Sequence, residues 1–182
     1  MKRCNWVNLN NPAYVDYHDH EWGIPCHDDK KLYELFILEC FQSGLSWECV
    51  LNKRENFRNA YDQFDIDKVI VYDETEINRL LSDPGIIRNK LKIQASIINS
   101  QIFKSIQQEF GTFNQYLYQY TDGKVLYEAY TIRTSSELSD LISKNLKKRG
   151  MKFVGSTTIY SFLQACGLIY AHGPECDLHC RK

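Results

Sequence analysis

The stretch that says most about the fold is KNLKKRGMKFVG, residues 144–155, which is followed by STT at 156–158. Segments with apolar side chains at helical spacing lie on both sides of it, and Gly150 and Gly155 bound a short turn between them. A helix that begins after a basic turn suits the binding of phosphate, because its N-terminus offers free backbone N–H groups. The alternative is a solvated helix end that carries favourable cations.

Capping and periodicity predict helices along most of the remaining chain. Helix starts are predicted at Asp28 or Asp29, Ser46, Asp73 and Thr134, and helix ends near Gly111 and Gly167. The buried face of the long helix before Gly111 is predicted to consist of Leu91, Ile98, Ile102 and Ile106. Alternation typical of a strand is weak and confined to residues 124–132. The pattern therefore predicts an all-α fold.

Length and composition are those of an ordinary globular protein. The chain has 182 residues, of which 43% are hydrophobic and 25% charged, which suits one domain over residues 1–182. No apolar run approaches the roughly 18 residues that a membrane span needs, and no apolar stretch follows the charges at the N-terminus. We therefore expect a cytoplasmic protein without a membrane partner. Its net charge of -1 means that nucleic acid would have to be bound by one local face.

The seven cysteines favour metal binding over a disulfide framework, because their number is odd and the chain is expected to be cytoplasmic. Three of them lie in apolar segments and are interpreted as core residues: Cys40, Cys49 and Cys166. The others lie closer to the ends of the chain, where histidines are also found.

A zinc site that joins the two ends of the chain is one interpretation of those residues. His172 and Cys176 have a spacing that a tetrahedral zinc site can use, and Cys4 with His18 could complete the ligand set. Such a site would close a loop of about 150 residues and stabilise the fold by about 4 kcal/mol on the chain-entropy account. Scattered surface residues are the alternative. Further candidate ligands are His20, His179 and Cys180.

Glu39 lies on a helix face that should be buried, at positions i+7, i+4 and i+3 from Leu32, Leu35 and Phe36. A buried carboxylate is costly unless it is hydrogen-bonded or functional. We interpret Glu39 either as a pocket carboxylate for a polar or cationic ligand, or as a side chain that reaches solvent past the helix edge.

Aromatic residues are dense near the N-terminus, where all three tryptophans lie within the first 47 residues. The residues concerned are Trp6, Tyr14, Tyr17, Trp22 and Trp47. They are interpreted either as ordinary core packing or as a stacking pocket for a flat ligand such as a nucleobase. A carboxylate beside such rings would favour an electron-poor base.

Short motifs along nearly the whole chain together resemble the 3-methyladenine DNA glycosylase I family, which repairs alkylated DNA and belongs to the helix-hairpin-helix superfamily. Each motif is short, but their joint order and spacing are specific. The motifs are RCNW (3–6), YHDHEWG (17–23), LE (38–39), GLSW (44–47), KREN (53–56), GIIR (85–88), KIQA (92–95), LKKRGMKFVG (146–155), QACGL (164–168) and HGPEC (172–176).

The resemblance implies a helix-hairpin-helix glycosylase fold with a helical core over residues 28–166. Residues 1–27 and 167–182 would form a lobe tied by a structural zinc. The implied zinc ligands are Cys4, His18, His172 and Cys176.

The resemblance also implies the roles of the site residues. Glu39 would recognise the base as the catalytic residue, Trp47 would stack on it, and Tyr17 would be a pocket tyrosine. The aromatic surround would consist of Trp6, Tyr14 and Trp22. Residue Gly44 would lie at the tip of a loop that probes the duplex. The hairpin at 151–155 would grip phosphate, with DNA contacts from Lys148, Arg149, Lys152 and Gly155.

The implied activity is the excision of 3-methyladenine, flipped out of double-stranded DNA that contains alkylated bases, by a monomeric enzyme. Lyase members of the superfamily carry a lysine just after the hairpin, whereas this chain has STT at 156–158. The enzyme is therefore expected to be monofunctional, without strand cleavage.

Two other functions fit parts of the pattern. A non-catalytic, zinc-stabilised nucleic-acid-binding protein would share the basic turn and the ligand set, but it would have no use for a buried Glu39. A zinc hydrolase of small molecules would use His18, His20 and a cysteine around an open metal position.

Overall fold

The computed structural model describes residues 1–128 and 133–179, and most of these residues are helical. The α-helices of this described part are α1 (Pro12–His20), α2 (Asp29–Gln42), α3 (Trp47–Leu51), α4 (Arg54–Ala60), α5 (Ile66–Val69), α6 (Glu74–Ser82), α7 (Lys90–Phe110), α8 (Phe113–Tyr118), α9 (Glu137–Lys148) and α10 (Ser156–Ala165). Short 3-10 helices cover Asp62–Phe64 and Gln119–Thr121.

Helix α2 is the centre of the core. Every residue from Leu32 to Phe41 is buried, so that α10, α7 and α3 pack around it on different sides. The ring of Phe36 lies 5.3 Å from that of Phe162 in α10 and 6.0 Å from that of Phe103 in α7. Because all sides of α2 are covered, a polar residue on this helix must find a partner or face a cavity.

The predicted helix starts are confirmed at three of the four positions. The side chains of Asp28, Ser46 and Asp73 accept hydrogen bonds from the first backbone N–H groups of α2, α3 and α6. Prediction of the start at Thr134 was wrong. Ser136 caps α9 instead, because its hydroxyl and that of Ser139 each accept a bond from the other residue's backbone N–H.

The predicted buried face of α7 was partly wrong. Leu91 is 68% exposed and Ile98 39% exposed, whereas Ile106 is buried. Polar residues occupy the middle of the buried face because they have partners there: Ser100 bonds the hydroxyl of Tyr33 at 2.6 Å. A search for apolar residues alone therefore places the stripe on the wrong side of this helix.

The prediction of an all-α fold holds except for one small pair of strands. Strand β1 (Leu126–Tyr127) pairs in parallel with β2 (Ile169–Tyr170), and Leu126 is in register with Ile169. Of the stretch 124–132 with weak alternation, residues 129–132 lie outside the described part of the chain.

The N-terminal segment docks against the end of α10. The amide of Gly23 donates to the carbonyl of Gln164, and that of Cys26 donates to the carbonyl of Cys166, both at 3.0 Å. Gly167, with φ of +71°, lies so close to this segment that a Cβ there would stand 2.3 Å from the carbonyl carbon of Ile24. Across the described residues, no helix combines the length and apolar character that crossing a membrane requires.

Candidate active site and metal centre

A cavity of about 250 Å³ gathers all the aromatic residues singled out in the sequence together with Glu39. The lining consists of Trp6, Tyr14, Tyr17, Trp22, Glu39, Gln42, Trp47, Ser161 and Gln164. Sequence reasoning missed three of these residues, Gln42, Ser161 and Gln164. Helical spacing carries the signal for them, because Gln42 is at i+3 from Glu39 and the other two are three residues apart on α10.

Helices α1, α2, α3 and α10 build the cavity together with the segments that carry Trp6 and Trp22, and polar contacts join several of these parts. Helix α1 supplies Tyr14 and Tyr17, and α3 begins with Trp47. Glu48 of α3 accepts hydrogen bonds at 2.8 Å from the side-chain amides of Asn8 and Asn11. These bonds hold the N-terminal loop and α1 against α3, so that the aromatic side chains share one opening.

Glu39 is the one carboxyl group among the residues that line this cavity. Its side chain is 3% exposed, and its Oε2 atom has no hydrogen-bond partner among the described residues. Burial raises the pKa of Glu39 to about 8, from 4.5. The free carboxyl is therefore mostly protonated at neutral pH, and a cation that enters the cavity would favour its ionised form. Of the two interpretations of Glu39, burial in a pocket is the one observed.

The rings around Glu39 form a wall of tilted and edge-to-face pairs. The rings of Tyr17 and Trp47 lie 5.1 Å apart, at 42°, while Trp6 lies 4.9 Å from Trp22 and 5.4 Å from Tyr14. Burial raises the pKa of Tyr17 well above its usual value, with a further contribution from Glu39, so this hydroxyl stays protonated. The buried Nε1 of Trp47 also lacks a partner within the described chain. The cavity thus offers π faces, a hydrogen-bond donor at Nε1 of Trp47 and an acceptor at Oε2 of Glu39.

Directly behind this wall lies a cluster of four buried side chains, Cys4, His18, His172 and Cys176. Their ligand atoms all lie within 4.8 Å of one another. The Sγ of Cys176 is 3.6 Å from Nε2 of His18 and 3.5 Å from Nδ1 of His172, and the Sγ of Cys4 is 3.6 Å from the same Nδ1. Two thiols and two imidazoles in this arrangement could hold a metal ion.

A second layer of residues orients the cluster. Nδ1 of His18 bonds Asp19 at 2.8 Å, which directs the other ring nitrogen towards the cysteines. Hydrogen bonds from Arg3 hold the pKa of Asp19 down to about 2, so this carboxylate is ionised. The ring of Trp22 packs edge-on against His172 at 4.7 Å. The metal-ligand cluster therefore supports the aromatic wall as well as the ends of the chain.

The further candidate ligands are placed elsewhere. His20 is exposed, and its Nδ1 bonds Asp16 at 2.9 Å, so the structure does not bring His18 and His20 together in the alternative open site. His179 bonds the backbone carbonyl of His172 through its Nδ1 at 2.6 Å. Cys180 lies outside the described residues.

The turn at 151–155 joins α9 to α10 as a tight connection. The hydroxyl of Ser143 donates to the carbonyl of Val154 at 2.6 Å, and Asn99 of α7 bonds both backbone polar groups of Lys152 at 2.8 Å. Gly155 precedes α10, and no side chain of the described residues caps the first amides of that helix. These amides therefore remain available to an anion.

The basic residues of this region differ in their availability. Lys148 and Lys152 are exposed. Arg149 bonds the carboxylate of Glu109 at 2.6 and 3.0 Å and lies over the ring of Phe110. The sequence alone does not distinguish these roles, because Glu109 lies 40 positions away.

The loop at 43–46, between α2 and α3, projects next to the cavity. Gly44 has φ of +79°, exposed backbone and open space where a side chain would stand. Its neighbour Leu45 is 42% exposed, which is unusual for a large apolar side chain in a tight loop. The geometry suits close approach of this backbone to another surface.

Comparisons with known proteins agree along nearly the whole chain. The methyladenine glycosylase family model matches residues 6–180. DNA-3-methyladenine glycosylase 1 of Escherichia coli (strain K12) is 46% identical over 180 residues, which cover 97% of this chain and 96% of that protein. A crystal structure of 3-methyladenine DNA glycosylase I superposes with a TM-score of 0.93 at 43% identity, covering 98% of this chain and 100% of that one.

A crystal structure of a single-residue variant of 3-methyladenine DNA glycosylase I, in complex with 3-methyladenine, has a TM-score of 0.92 at 35% identity and covers 97% of each chain. The chain therefore belongs to the methyladenine glycosylase family, a family of DNA N-glycosidases.

Proposed function

We propose that this protein excises 3-methyladenine from alkylated double-stranded DNA as a monofunctional, monomeric glycosylase. The observation that carries the proposal is the buried carboxyl of Glu39, with an oxygen that lacks a partner, inside a cavity walled by aromatic rings. A site of this kind suits a flat, cationic ligand that brings both π surface and hydrogen-bond donors.

The damaged base must leave the helix to reach this cavity, which is lined on several sides. Extrusion costs a few kcal/mol and costs least for a damaged base. Trp47 stacks on the extruded ring, and Tyr14, Tyr17, Trp6 and Trp22 complete the enclosure. The cost of extrusion therefore already favours lesions before any contact is made.

Charge provides the second stage of selection. A base methylated at N3 is cationic in DNA, so it stabilises the ionised form of Glu39, whereas neutral adenine does not. The carboxylate accepts hydrogen bonds from the base edge, and Trp47 adds a cation–π contact. Discrimination thus depends on the low polarity that keeps Glu39 protonated in the free protein.

The chemical step needs little help from an acid, because the cationic base is a good leaving group. The bond between C1′ and the base breaks, and its electron pair leaves with the base as neutral 3-methyladenine. Water then adds its oxygen to C1′ of the oxocarbenium-like sugar and loses a proton. Glu39 acts in this step by holding the departing base in place.

Backbone contacts hold the duplex over the cavity. The turn at 151–155 and the uncapped start of α10 grip phosphate in the manner of a helix-hairpin-helix element, with Gly155 allowing close approach. Lys148 and Lys152 add charge, and Arg149 shapes the surface beside them while it holds Glu109. Gly44, in the loop at 43–46, enters the space that the base has left.

The metal-ligand cluster fits a structural zinc. A tetrahedral zinc with bonds of about 2.3 Å to sulfur and 2.0–2.1 Å to nitrogen places S and N atoms about 3.6 Å apart. Three of the four S–N distances in the cluster are 3.5–3.6 Å, and all the ligand atoms lie within 4.8 Å of one another. Cys4, His18, His172 and Cys176 fill all four positions, so the ion would supply cross-linking alone.

The test is to incubate the protein with methylated duplex DNA and to identify the released base by mass spectrometry. Release of 3-methyladenine, with none from unmethylated DNA, is the expected result. Binding to the duplex without release of any base would favour the non-catalytic nucleic-acid-binding alternative. Borohydride should trap no covalent adduct with the DNA, because residues 156–158 provide no lysine amine. A trapped adduct would contradict the monofunctional assignment.

A further inference from the structure

Two segments that we propose to meet the duplex are both fastened to the same helix. The loop at 43–46 leads into Trp47, and the turn at 151–155 leads into α10. They are more than 100 positions apart in the chain. Helix α7 contacts both of them through buried polar side chains that have no part in the cavity or in the metal-ligand cluster.

Lys92, near the start of α7, holds the first segment. Its side chain is buried, and its ammonium donates hydrogen bonds to the carbonyls of Phe41 at 2.7 Å and Ser43 at 2.6 Å. These carbonyls belong to the end of α2 and the first residue of the loop. A cation is favourable there, because the last carbonyls of a helix lack partners and carry the negative end of its dipole.

Asn99, two turns further along α7, holds the second segment. It is fully buried, its Nδ2 donates to the carbonyl of Lys152, and its Oδ1 accepts from the amide of Lys152, both at 2.8 Å. One side chain therefore satisfies both backbone groups of a single residue of the turn. This paired contact fixes the position and the orientation of the turn.

Lys92 and Asn99 lie on one face of α7, and each of them also approaches the segment that the other one holds. Asn99 is seven positions after Lys92, a rise of about 10 Å along the same side of the helix. The ammonium of Lys92 also lies 5.9 Å from the ring of Phe153 in the turn, and Nδ2 of Asn99 lies 3.6 Å from Sγ of Cys40 in α2. Each residue thus contacts both the α2 end and the turn.

Burial of a lysine is expensive compared with an apolar residue of similar length, which would also fill the space. The buried ammonium of Lys92 is therefore best explained by the backbone carbonyls that it holds in place. We propose that Lys92 and Asn99 are positioning residues, which set the distance and orientation between the loop at 43–46 and the turn at 151–155. This inference rests on the proposed function, because it assumes that both segments contact one duplex.

The expected consequence is specific to DNA. Free 3-methyladenine needs only the cavity, so its binding does not depend on the distance between the two segments. Flipping a base out of a duplex needs the phosphate grip and the loop to act on the same strand at once. Misplacement of a contact by about 1 Å costs up to roughly a hundredfold in rate.

The experiment compares Lys92→Met and Asn99→Ala with matched controls on the same helix. Lys104→Met and Gln101→Ala are suitable, because Lys104 pairs with Asp67 and Gln101 bonds the carbonyl of Ile70, outside both segments. Three quantities are measured: affinity for free 3-methyladenine, affinity for a duplex with an abasic-site analogue, and single-turnover release of base. Lys92→Arg and Asn99→Asp serve as milder variants if the first pair fails to fold.

Lys92 and Asn99 together are called the brace. Both brace variants, Lys92→Met and Asn99→Ala, should bind free 3-methyladenine with parental affinity. Their affinity for the duplex should be lower by roughly tenfold to a hundredfold. The controls should change neither quantity. Parental duplex affinity in folded brace variants would overturn the inference, and so would an equal loss of free-base binding, which would place the effect in the cavity. The affinity of the variants for the duplex tests the positioning role of Lys92 and Asn99 even if the parent releases no base. Release of base by the parent tests the proposed function.

The double variant adds a test that a purely structural role would not pass. If the two residues maintain one alignment, loss of either already breaks it, and the combined loss of duplex affinity should be much smaller than the product of the single losses. Losses that multiply would mean that the two segments act independently, and the inference would be wrong.

Discussion

The metal-ligand cluster and the cavity around Glu39 are neighbouring regions with buried polar atoms. They differ in how many of these atoms have a hydrogen-bond partner. In the cluster, sulfur and nitrogen atoms face one another at 3.5–3.6 Å, and Asp19 orients His18. In the cavity, an oxygen of Glu39 and the indole nitrogen of Trp47 have no partner among the described residues. An unsatisfied buried polar group costs about 1–3 kcal/mol. We infer that the first region stabilises the fold and that the second keeps its polar atoms for a ligand.

Removal of the metal ligands should have the largest effect of the changes considered. Cys176→Ser, or treatment of the parent with a strong chelator, should lower the free energy of unfolding by about 4 kcal/mol or more, because a cross-link between distant segments is lost. Thermal unfolding and the metal-to-protein ratio measure this effect. Cys26→Ser is the control, because Cys26 is half-buried and outside the cluster. Equal losses in both variants, or unchanged unfolding in chelator, would contradict the cross-link.

Glu39→Gln should separate activity from stability. Base release should fall by roughly 10- to 100-fold, which corresponds to a lost charge-assisted contact of about 1.5–3 kcal/mol. Stability should not fall. The pKa of this carboxyl is higher in the folded protein than in the unfolded chain, so its contribution to stability is present below pH 4.5 and is lost as the pH rises through about 8. Above pH 8 the Gln variant should therefore be the more stable protein in thermal unfolding.

Glu34→Gln is the matched control for that substitution, because Glu34 is also buried in α2 but is paired with Arg54 and Arg58. We expect the opposite outcome, a loss of stability with unchanged release of base per folded molecule. If both variants lose activity and stability together, the contrast between the two regions does not hold.

The pH dependence of base release at low substrate concentration should follow Glu39. With a pKa of about 8, few of the carboxyls are ionised at pH 6, so the rate should rise by roughly tenfold per pH unit and level off above pH 8. The sign follows from the need for the carboxylate beside a cationic base. Glu39→Gln should have a flat profile over the same range, and a rate in the parent that falls between pH 6 and 8 would contradict the role.

The sequence predicted these two regions unequally well. The candidate metal ligands, including His18, could be proposed from residue type and spacing, because few residue types bind zinc; the structure brings them together and leaves His20 exposed. Glu39 stood out because a carboxylate interrupts an apolar helix face. Gln42, Ser161 and Gln164 carried no such contrast, since polar residues on a helix are ordinary.

Long-range polar contacts were the features that sequence reasoning could not supply. Leu91 and Ile98 are exposed because the opposite side of α7 is the buried one. That side contains Ser96, Asn99 and Ser100, and each of them bonds a residue from another part of the chain. The two-residue pairing of β1 with β2 also joins segments that are 43 positions apart. Local pattern finds helices well because their hydrogen bonds are local, whereas such partners depend on the complete fold.

Trp47→Phe should give the smallest effect of the changes considered. The substitution keeps a stacking ring but removes the buried Nε1, whose lack of a partner costs the free protein stability. The gain from its removal offsets the loss of packing by the smaller ring, so the free energy of unfolding should change by less than about 1 kcal/mol. Base release should fall by roughly fivefold, since Phe is a weaker cation–π partner and offers no donor. Single-turnover kinetics and thermal unfolding on the same preparation measure both; a variant that loses stability and keeps full activity would mean that Trp47 belongs to the core rather than to the site.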